Sequence, residues 1–315
     1  MASRLIVGCG YLGLRVASKW LGQGDSVFAI TRSKARANEL SQRGIKPLVW
    51  DWLVSELTAV NASSRIIPEL EASKFATILI AVTHSEQQNL PPIETHTRGL
   101  NHFANLLKKT GGWNSAQTQT KWVYLSTTGV FGPSPPGDWV DEDSVVLPER
   151  PSSIAALAGE HWIASHISKD MRVNLRSAGI YGPDRVPRWQ SIRDQTPLLV
   201  DPDSYLNLIH VDDLAAIVVA VSSANMQFPM YCVSDGVPVR RKEYYEYISK
   251  LGNWPQPVFE PHSVPVAGRS SFRSDSNKRV RNNRIQAELA IRLEYPSYRE
   301  GLKSLLDETI NKPSF

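Results

Sequence analysis

Cysteine is scarce in this chain: Cys9 and Cys232 are the only two among 315 residues. That excludes a disulfide framework, and both read as reduced thiols in a reducing compartment. Neither a C-x-x-C nor an H-E-x-x-H spacing occurs, so no metal site is expected. Long apolar runs are also missing, and none approaches the roughly 18–20 residues of a membrane span. Charge of one sign is in short supply, because 35 Lys and Arg against 31 Asp and Glu leave a net charge of only +4. Such a balance argues for no nucleic-acid or membrane partner. The nine tryptophans are scattered without helical or strand spacing, which suggests packing rather than base stacking. Strand-like residues begin almost at the N-terminus, leaving no room for a signal or transit peptide, and a cytoplasmic protein is expected.

What is present is glycine in a telling place. A strand-like run, Leu5-Ile6-Val7, leads directly into Gly8-Cys9-Gly10-Tyr11-Leu12-Gly13 and then into a helical pattern with Val16, Ala17, Trp20 and Leu21 on one face. Strand, G-x-G-x-x-G turn and helix in that order form a phosphate cradle. Gly8 lets the chain turn, Gly10 lets backbone amides approach a pyrophosphate, and Gly13 lets the helix sit close to the sheet. Tyr11 and Leu12, at the start of the helix, belong to the same cradle.

The end of the second strand, Ser26 to Ile30, bears on which dinucleotide fits. An NAD-preferring site carries an acidic residue there, about 20 residues past the glycines. Here the run is Thr31-Arg32-Ser33-Lys34, with no Asp or Glu. Arg32 can pair with a 2′-phosphate, and Ser33, Lys34 or Arg36 can add to it. NADP(H) is therefore expected over NAD(H), against the plainer reading of a basic, solvated loop.

Further along, helix-like and strand-like segments alternate. Lys34 to Arg43 reads as a helix, Lys46 to Trp50 as a strand, and Leu53 to Leu70 as partly helical. Ala76 to Val82 is a continuous apolar run, suited to a strand buried on both faces. A helix carries Leu100, Phe103, Leu106 and Leu107 on one face, and Trp122 to Ser126 is another strand. The pattern predicts a Rossmann-like, doubly wound parallel sheet over residues 1–178, with a smaller C-terminal lobe over 179–315. Gly132 to Pro151, with five prolines, two glycines and an acidic cluster, reads as loop. Beyond it come a helix from Ser153 toward Ile167, a strand from Arg172 to Ile180, and an apolar helix from Leu214 to Val221 with Asp212 as N-cap. Helices are also expected at Lys242–Leu251, Asn283–Arg292 and Arg299–Asn311.

Four local sequences together resemble the extended short-chain dehydrogenase/reductase superfamily, the NAD(P)-dependent epimerase/dehydratase type. They are Gly8–Gly13, Leu125-Ser126-Thr127-Thr128-Gly129-Val130-Phe131-Gly132, Arg176 through Pro183, and Ile209-His210-Val211-Asp212-Asp213-Leu214. The finish, Ser276 to Val280 and Tyr295 to Gly301, is similar to the atypical subgroup around the bacterial YeeZ protein. The resemblance implies that the segment near 207–234 returns to the sheet. It also implies that Asp51 contacts the adenine, that Ala81 and Val82 offer backbone to the adenosine ribose, and that Thr127 faces the substrate.

The departure from that pattern is as informative. Typical members carry a Tyr-x-x-x-Lys pair on the helix after the proline-rich loop, the lysine lowering the tyrosine pKa for proton exchange with substrate. Counting back from Glu160, Ser152 takes the tyrosine position and Ala156 the lysine position, and neither can serve. No Tyr or Lys stands between Gly132 and Lys169. Thr127, Tyr181, His161 or a water are the candidate substitutes. Arg185, Lys278, Arg279 and Arg299 are cations in the half expected to cover the substrate, and His210 and Asp212 read as structural. Two functions remain open at this stage. One is an NADP(H)-dependent oxidoreductase or epimerase acting on a small carbonyl, hydroxyl or nucleotide-sugar-like compound. The other is a non-catalytic NADP(H)-binding sensor or assembly factor. The expected partner is a small molecule, the chain being a monomer or homodimer.

Overall fold

The computed structural model describes residues 1–53, 74–83, 90–109, 119–260 and 277–310. The expected helical stretch from Leu53 to Leu70 lies almost wholly outside the described residues. Seven strands form the main sheet: β1 (Ser3–Val7), β2 (Ser26–Thr31), β3 (Lys46–Val49), β4 (Phe75–Ile80), β5 (Lys121–Thr127), β7 (Arg172–Ser177) and β11 (Met230–Val233). They lie in the order β11-β7-β5-β4-β1-β2-β3. Val7 is in register with Ile30 on one side and Ile80 on the other, all parallel. Strand order therefore reverses at β1, where an open α/β sheet places its ligand crevice. The apolar run of β4 is buried at every position but Ala76, as a central strand covered on both faces requires.

Contacts divide the chain into two compact units. The first comprises Met1–Thr127, Pro151–Arg176 and Ala215–Tyr231, and the second Thr128–Arg150, Ser177–Leu214 and Cys232–Phe315. The division is interleaved: Thr128–Arg150 groups with the second unit, and Ala215–Tyr231, within the segment near 207–234 expected to return to the sheet, with the first. In the first unit, α1 (Tyr11–Gly22) buries Val16, Ala17 and Trp20 at helical spacing. Helix α2 (Lys34–Gln42) starts at Ser33, whose hydroxyl accepts from the Arg36 amide. Helices α3 (Pro92–Lys109) and α4 (Pro151–His166) pack together over β5. The core gathers Leu5, Val7, Phe28, Ile78, Ile80, Leu100, Phe103, Trp122 and Trp162.

The second unit rests on short strand pairs: β6 (Asp138–Val140) with β13 (Lys278–Val280), β8 (Gly179–Tyr181) with β10 (Leu208–His210), and β9 (Tyr205–Leu206) with β12 (Val239–Arg240). The expected strand from Arg172 to Ile180 is two strands. Ala178 still donates to Val233 O, but the next amide, Gly179, turns away to Asn207 O. A Cβ at Gly179 would lie 3.1 Å from that oxygen, so the switch needs a small residue. Part of the expected loop at 132–151 is strand β6. The helices of this unit are α5 (Trp189–Arg193), α7 (Arg241–Gly252), α8 (Asn283–Leu289) and α9 (Tyr298–Ile310), while α6 (Val211–Ser223) begins in it. Because α6 starts at Val211, Asp212 lies in its first turn rather than at its cap. Tyr181, Tyr244, Tyr245, Tyr298, Leu208, Ile248 and Leu302 make this unit's core.

Candidate functional site

The glycine turn is built as the sequence spacing requires. Gly8 has φ +94°, and a Cβ there would sit 2.5 Å from Ala81 O, so the β1 and β4 ends meet at a position only glycine fits. A Cβ at Gly13 would lie 2.8 Å from Gly8 O and 3.3 Å from Ile6 Cγ2. Gly10 is different: a Cβ there meets nothing within 4 Å. The turn closes on itself through the Gly10 amide to Gly8 O (2.9 Å), and Leu14 N donates to Gly10 O (2.9 Å). Gly10 caps α1 with no side-chain hydrogen bond and no acid in the first turn. Among the described residues, nothing crowds the positive end of α1 at Gly10 and no acid stands in its first turn, an arrangement that suits an anion. Tyr11 is half-buried with Arg15 4.3 Å from its ring, and Leu12 is buried.

The β2 end lies beside this turn. Thr31 is half-buried, and Arg32 and Ser33 are exposed. Arg36 reaches back, its Nη2 donating to Cys9 O at 3.0 Å and its Nη1 pairing with Glu39 at 2.5 Å. That tie between α2 and the glycine turn has no sequence signature, since the two residues are far apart in the chain. Cys9 is buried, and desolvation pushes its thiol up to about 11 despite Arg36 and Arg43. Asp51, half-buried just past β3, accepts from the Leu53 amide at 3.0 Å. Ala81 N donates to Val7 O (2.8 Å), which presents Ala81 and Val82 at the sheet's C-terminal edge.

Thr127 is half-buried at the end of β5. Ser152 is exposed in the first turn of α4, and Ala156 is buried one turn on. His161 lies exposed on the same helix. Beneath this end is a buried network that sequence reading passed over. Glu160 receives Arg176 on both oxygens, Nε at 3.1 Å and Nη2 at 2.8 Å, and the Ser126 hydroxyl donates to the same carboxylate. Arg176 and Asn174 alternating with Val173 and Leu175 in a strand of the main sheet were the available signal, because buried arginine comes paired. A second buried pair joins His96 Nδ1 to the Tyr124 hydroxyl at 2.6 Å.

Three expected site residues land elsewhere. Tyr181 is fully buried, and its hydroxyl donates to Ser297 O at 3.3 Å. Burial, reinforced by Asp235 and Asp213, drives its pKa far up, and its ring is part of the second unit's core. Lys278 is buried rather than surface-facing. Its Nζ donates to Gly132 O at 2.9 Å, and desolvation with Arg150 nearby lowers it to about 8. Arg299 spends its charge on Glu243 at 2.5 Å and stacks on Tyr247 and Tyr298. Arg185 is exposed, and Arg279 lies between the rings of Trp139 and Tyr205. Among the described residues no group of three metal-ligating side chains occurs, and no helix is long and apolar enough to cross a membrane.

The family model described as the NAD dependent epimerase/dehydratase family matches residues 5–228. The chain belongs to that family. Structures similar to it span its whole length. A functionally unknown conserved protein from Silicibacter pomeroyi is 24% identical, with 98% of this chain and 99% of that one covered and a TM-score of 0.75. A dTDP-glucose 4,6-dehydratase from Bacillus anthracis, in complex with NAD, is 14% identical with 99% and 98% covered, TM-score 0.75. A UDP-glucose 4-epimerase from Thermotoga maritima, with UDP-glucose, is 16% identical with 98% and 100% covered, TM-score 0.75. No curated protein matches the chain. Within this epimerase/dehydratase fold, α4 begins as the family pattern implies, yet its first two turns offer a serine and an alanine where the proton-transfer pair is expected.

Proposed function

We infer that the protein is an NADP(H)-binding oxidoreductase or epimerase acting on a small carbonyl, hydroxyl or nucleotide-sugar-like substrate without a Tyr-x-x-x-Lys pair. One observation carries the reading. The glycine turn is uncrowded at Gly10, and the strand beside it is followed by Arg32 with no carboxylate there. Gly8, Gly10 and Gly13 would hold the diphosphate, with the backbone of Tyr11 and Leu12. Arg32, Ser33 and Thr31 would hold the 2′-phosphate end, Asp51 the adenine, and Ala81 with Val82 the adenosine ribose. When bound, the dinucleotide supplies hydride transfer. Neighbours solved with NAD and with UDP-glucose support the cofactor class and the substrate class.

The proton is the harder half. A positioned acid–base group contributes about 10²–10⁴ in rate, roughly 3–5 kcal/mol of barrier. Ser152 and Ala156 contribute none of it, and Thr127 alone can orient a substrate oxygen but not titrate. The chemistry therefore relies on Thr127 for orientation and on water or a substrate group for the proton. Titrating the protein with NADPH and NADH tests the cofactor, and equal affinities would remove the 2′-phosphate reading. A single-turnover assay of bound NADPH at 340 nm, across carbonyl compounds and nucleotide sugars, tests the chemistry.

The Ser152/Ala156 positions favour a second reading, a non-catalytic NADP(H)-binding sensor or assembly factor. Silence across the substrate panel supports it. So does activity appearing from nothing in the Ser152→Tyr, Ala156→Lys double variant.

A further inference from the structure

In the second unit, a short segment ahead of α9 is fastened by groups that the proposed function does not use. Asp213, in the first turn of α6, accepts from the Glu294 amide at 2.7 Å and the Tyr295 amide at 3.0 Å, one on each oxygen. The Tyr295 ring lies 3.8 Å from the His210 ring, centre to centre. Tyr181 donates to Ser297 O, and Gly301 leaves room for the Tyr181 hydroxyl that a Cβ would take. The segment 294–301 is thus clipped to β8, β10 and α6 by one carboxylate and two rings.

Beside the clip is a carboxyl with half its capacity unused. Asp235 is 5% exposed; Oδ1 accepts from Val237 N at 2.9 Å, while Oδ2 has no partner among the described residues. Its own amide donates to Leu208 O at 2.8 Å, fixing it against β10. The charged groups that act on it are Asp213 of α6 and Glu300 of α9, both negative, and the Tyr181 hydroxyl of β8 feels its charge in turn. No cation figures among the groups that shift it.

We propose that Asp235 is a proton-controlled latch for the start of α9: protonated, it lets the Asp213 clip hold residues 294–301, and ionised, it loosens them. The physical cause is direct. A second negative charge in this dry site repels Asp213 and Glu300 and has no donor for its free oxygen, so the unit relaxes by letting water reach the pair. Desolvation sets the working range, lifting the Asp235 carboxyl to about 7.

Hydrogen exchange on the full-length chain, read by mass spectrometry and normalised to intrinsic rates, tests the latch. Each pH unit between the carboxyl's ordinary value of 3.8 and about 7 is worth up to tenfold in the opening equilibrium, and the gain levels off above 7. Protection of the 294–302 amides is expected to fall at least tenfold between pH 5 and pH 8. In Asp235→Asn, which keeps the acceptor for Val237 N, protection is expected to stay within twofold over that range. Glu300→Gln keeps an acceptor for the Ser297 hydroxyl and removes one repelling charge, so the loosening is expected to level off at lower pH and to be smaller. Constant protection in the unaltered protein, the same loss in Asp235→Asn, or an unchanged loosening in Glu300→Gln would each overturn the proposal.

Discussion

Replacing Glu160 with glutamine probes the buried network under the end of β5. The residue is 2% exposed and Arg176 is 5% exposed, so neither charge has water to fall back on. Glutamine keeps the shape and an acceptor for Ser126 but removes the carboxylate charge that the guanidinium pairs with on both oxygens. Breaking one side of a buried pair costs about 3–5 kcal/mol. At roughly 2 °C per kcal/mol for a chain of this size, the melting midpoint should drop by about 6–10 °C, measured by circular dichroism. Arg176→Met alone strands the carboxylate and should cost a similar amount. The double variant Glu160→Gln, Arg176→Met removes both charges, and since a buried pair and an apolar replacement are often nearly equivalent, it should recover most of the loss. Ser126→Ala, which deletes one hydrogen bond to a charged group, should cost about 1.5–3 kcal/mol. A Glu160→Gln midpoint within 2 °C of the parent, or a double variant as unstable as the two single losses added, would refute the reasoning.

Other outcomes follow from single positions. Gly8→Ala forces a side chain into positive φ and against Ala81 O; dinucleotide binding by calorimetry should fall below detection, with about 1–3 kcal/mol lost from stability. Arg32→Ala should weaken NADPH binding about 10- to 100-fold, the worth of one charge-assisted contact, while NADH affinity stays within twofold. Asp235 holds its proton between 3.8 and about 7 when folded, so the stability it contributes is present at low pH and lost as pH rises through 7. Urea unfolding of Asp235→Asn should therefore match the parent near pH 4 and exceed it at pH 8, by at most about 4 kcal/mol. Gly301→Ala overfills the space held by the Tyr181 hydroxyl and should destabilise by about 1–3 kcal/mol in the same assay.

The strand, glycine turn and helix at the N-terminus were legible because their signals are local. A strand, three glycines and a helix fall within one stretch, and the Gly8 and Gly13 contacts are those their spacing implied. The helix that carries Ser152 and Ala156 was readable for the same reason, since it starts where the proline-rich loop ends. The second unit was less so. Its strands are two or three residues long, too short for a period-2 pattern, and their partners lie far along the chain, as with Asp138–Val140 and Lys278–Val280. Lys278 shows the difficulty plainly: from sequence it is a cation for a substrate, whereas folding turns it inward, where its ammonium donates to the Gly132 carbonyl far back in the chain of the same unit. Asp213 and Tyr181 were visible as motif members, but their work on residues 294–301 depends on contacts across more than eighty positions.

The interleaving of the two units bears on how the polypeptide comes off the ribosome. The glycine turn, its helix and its first five strands emerge early, yet the first unit lacks its last segment until Tyr231 has been made. During that interval the nascent chain has exposed an unfinished sheet whose outer strand is still missing, a form prone to sticking to its neighbours. A shortened version ending near residue 178 would keep that defect permanently, so a dinucleotide-binding fragment of this protein has to be assembled from spliced segments rather than cut from one end.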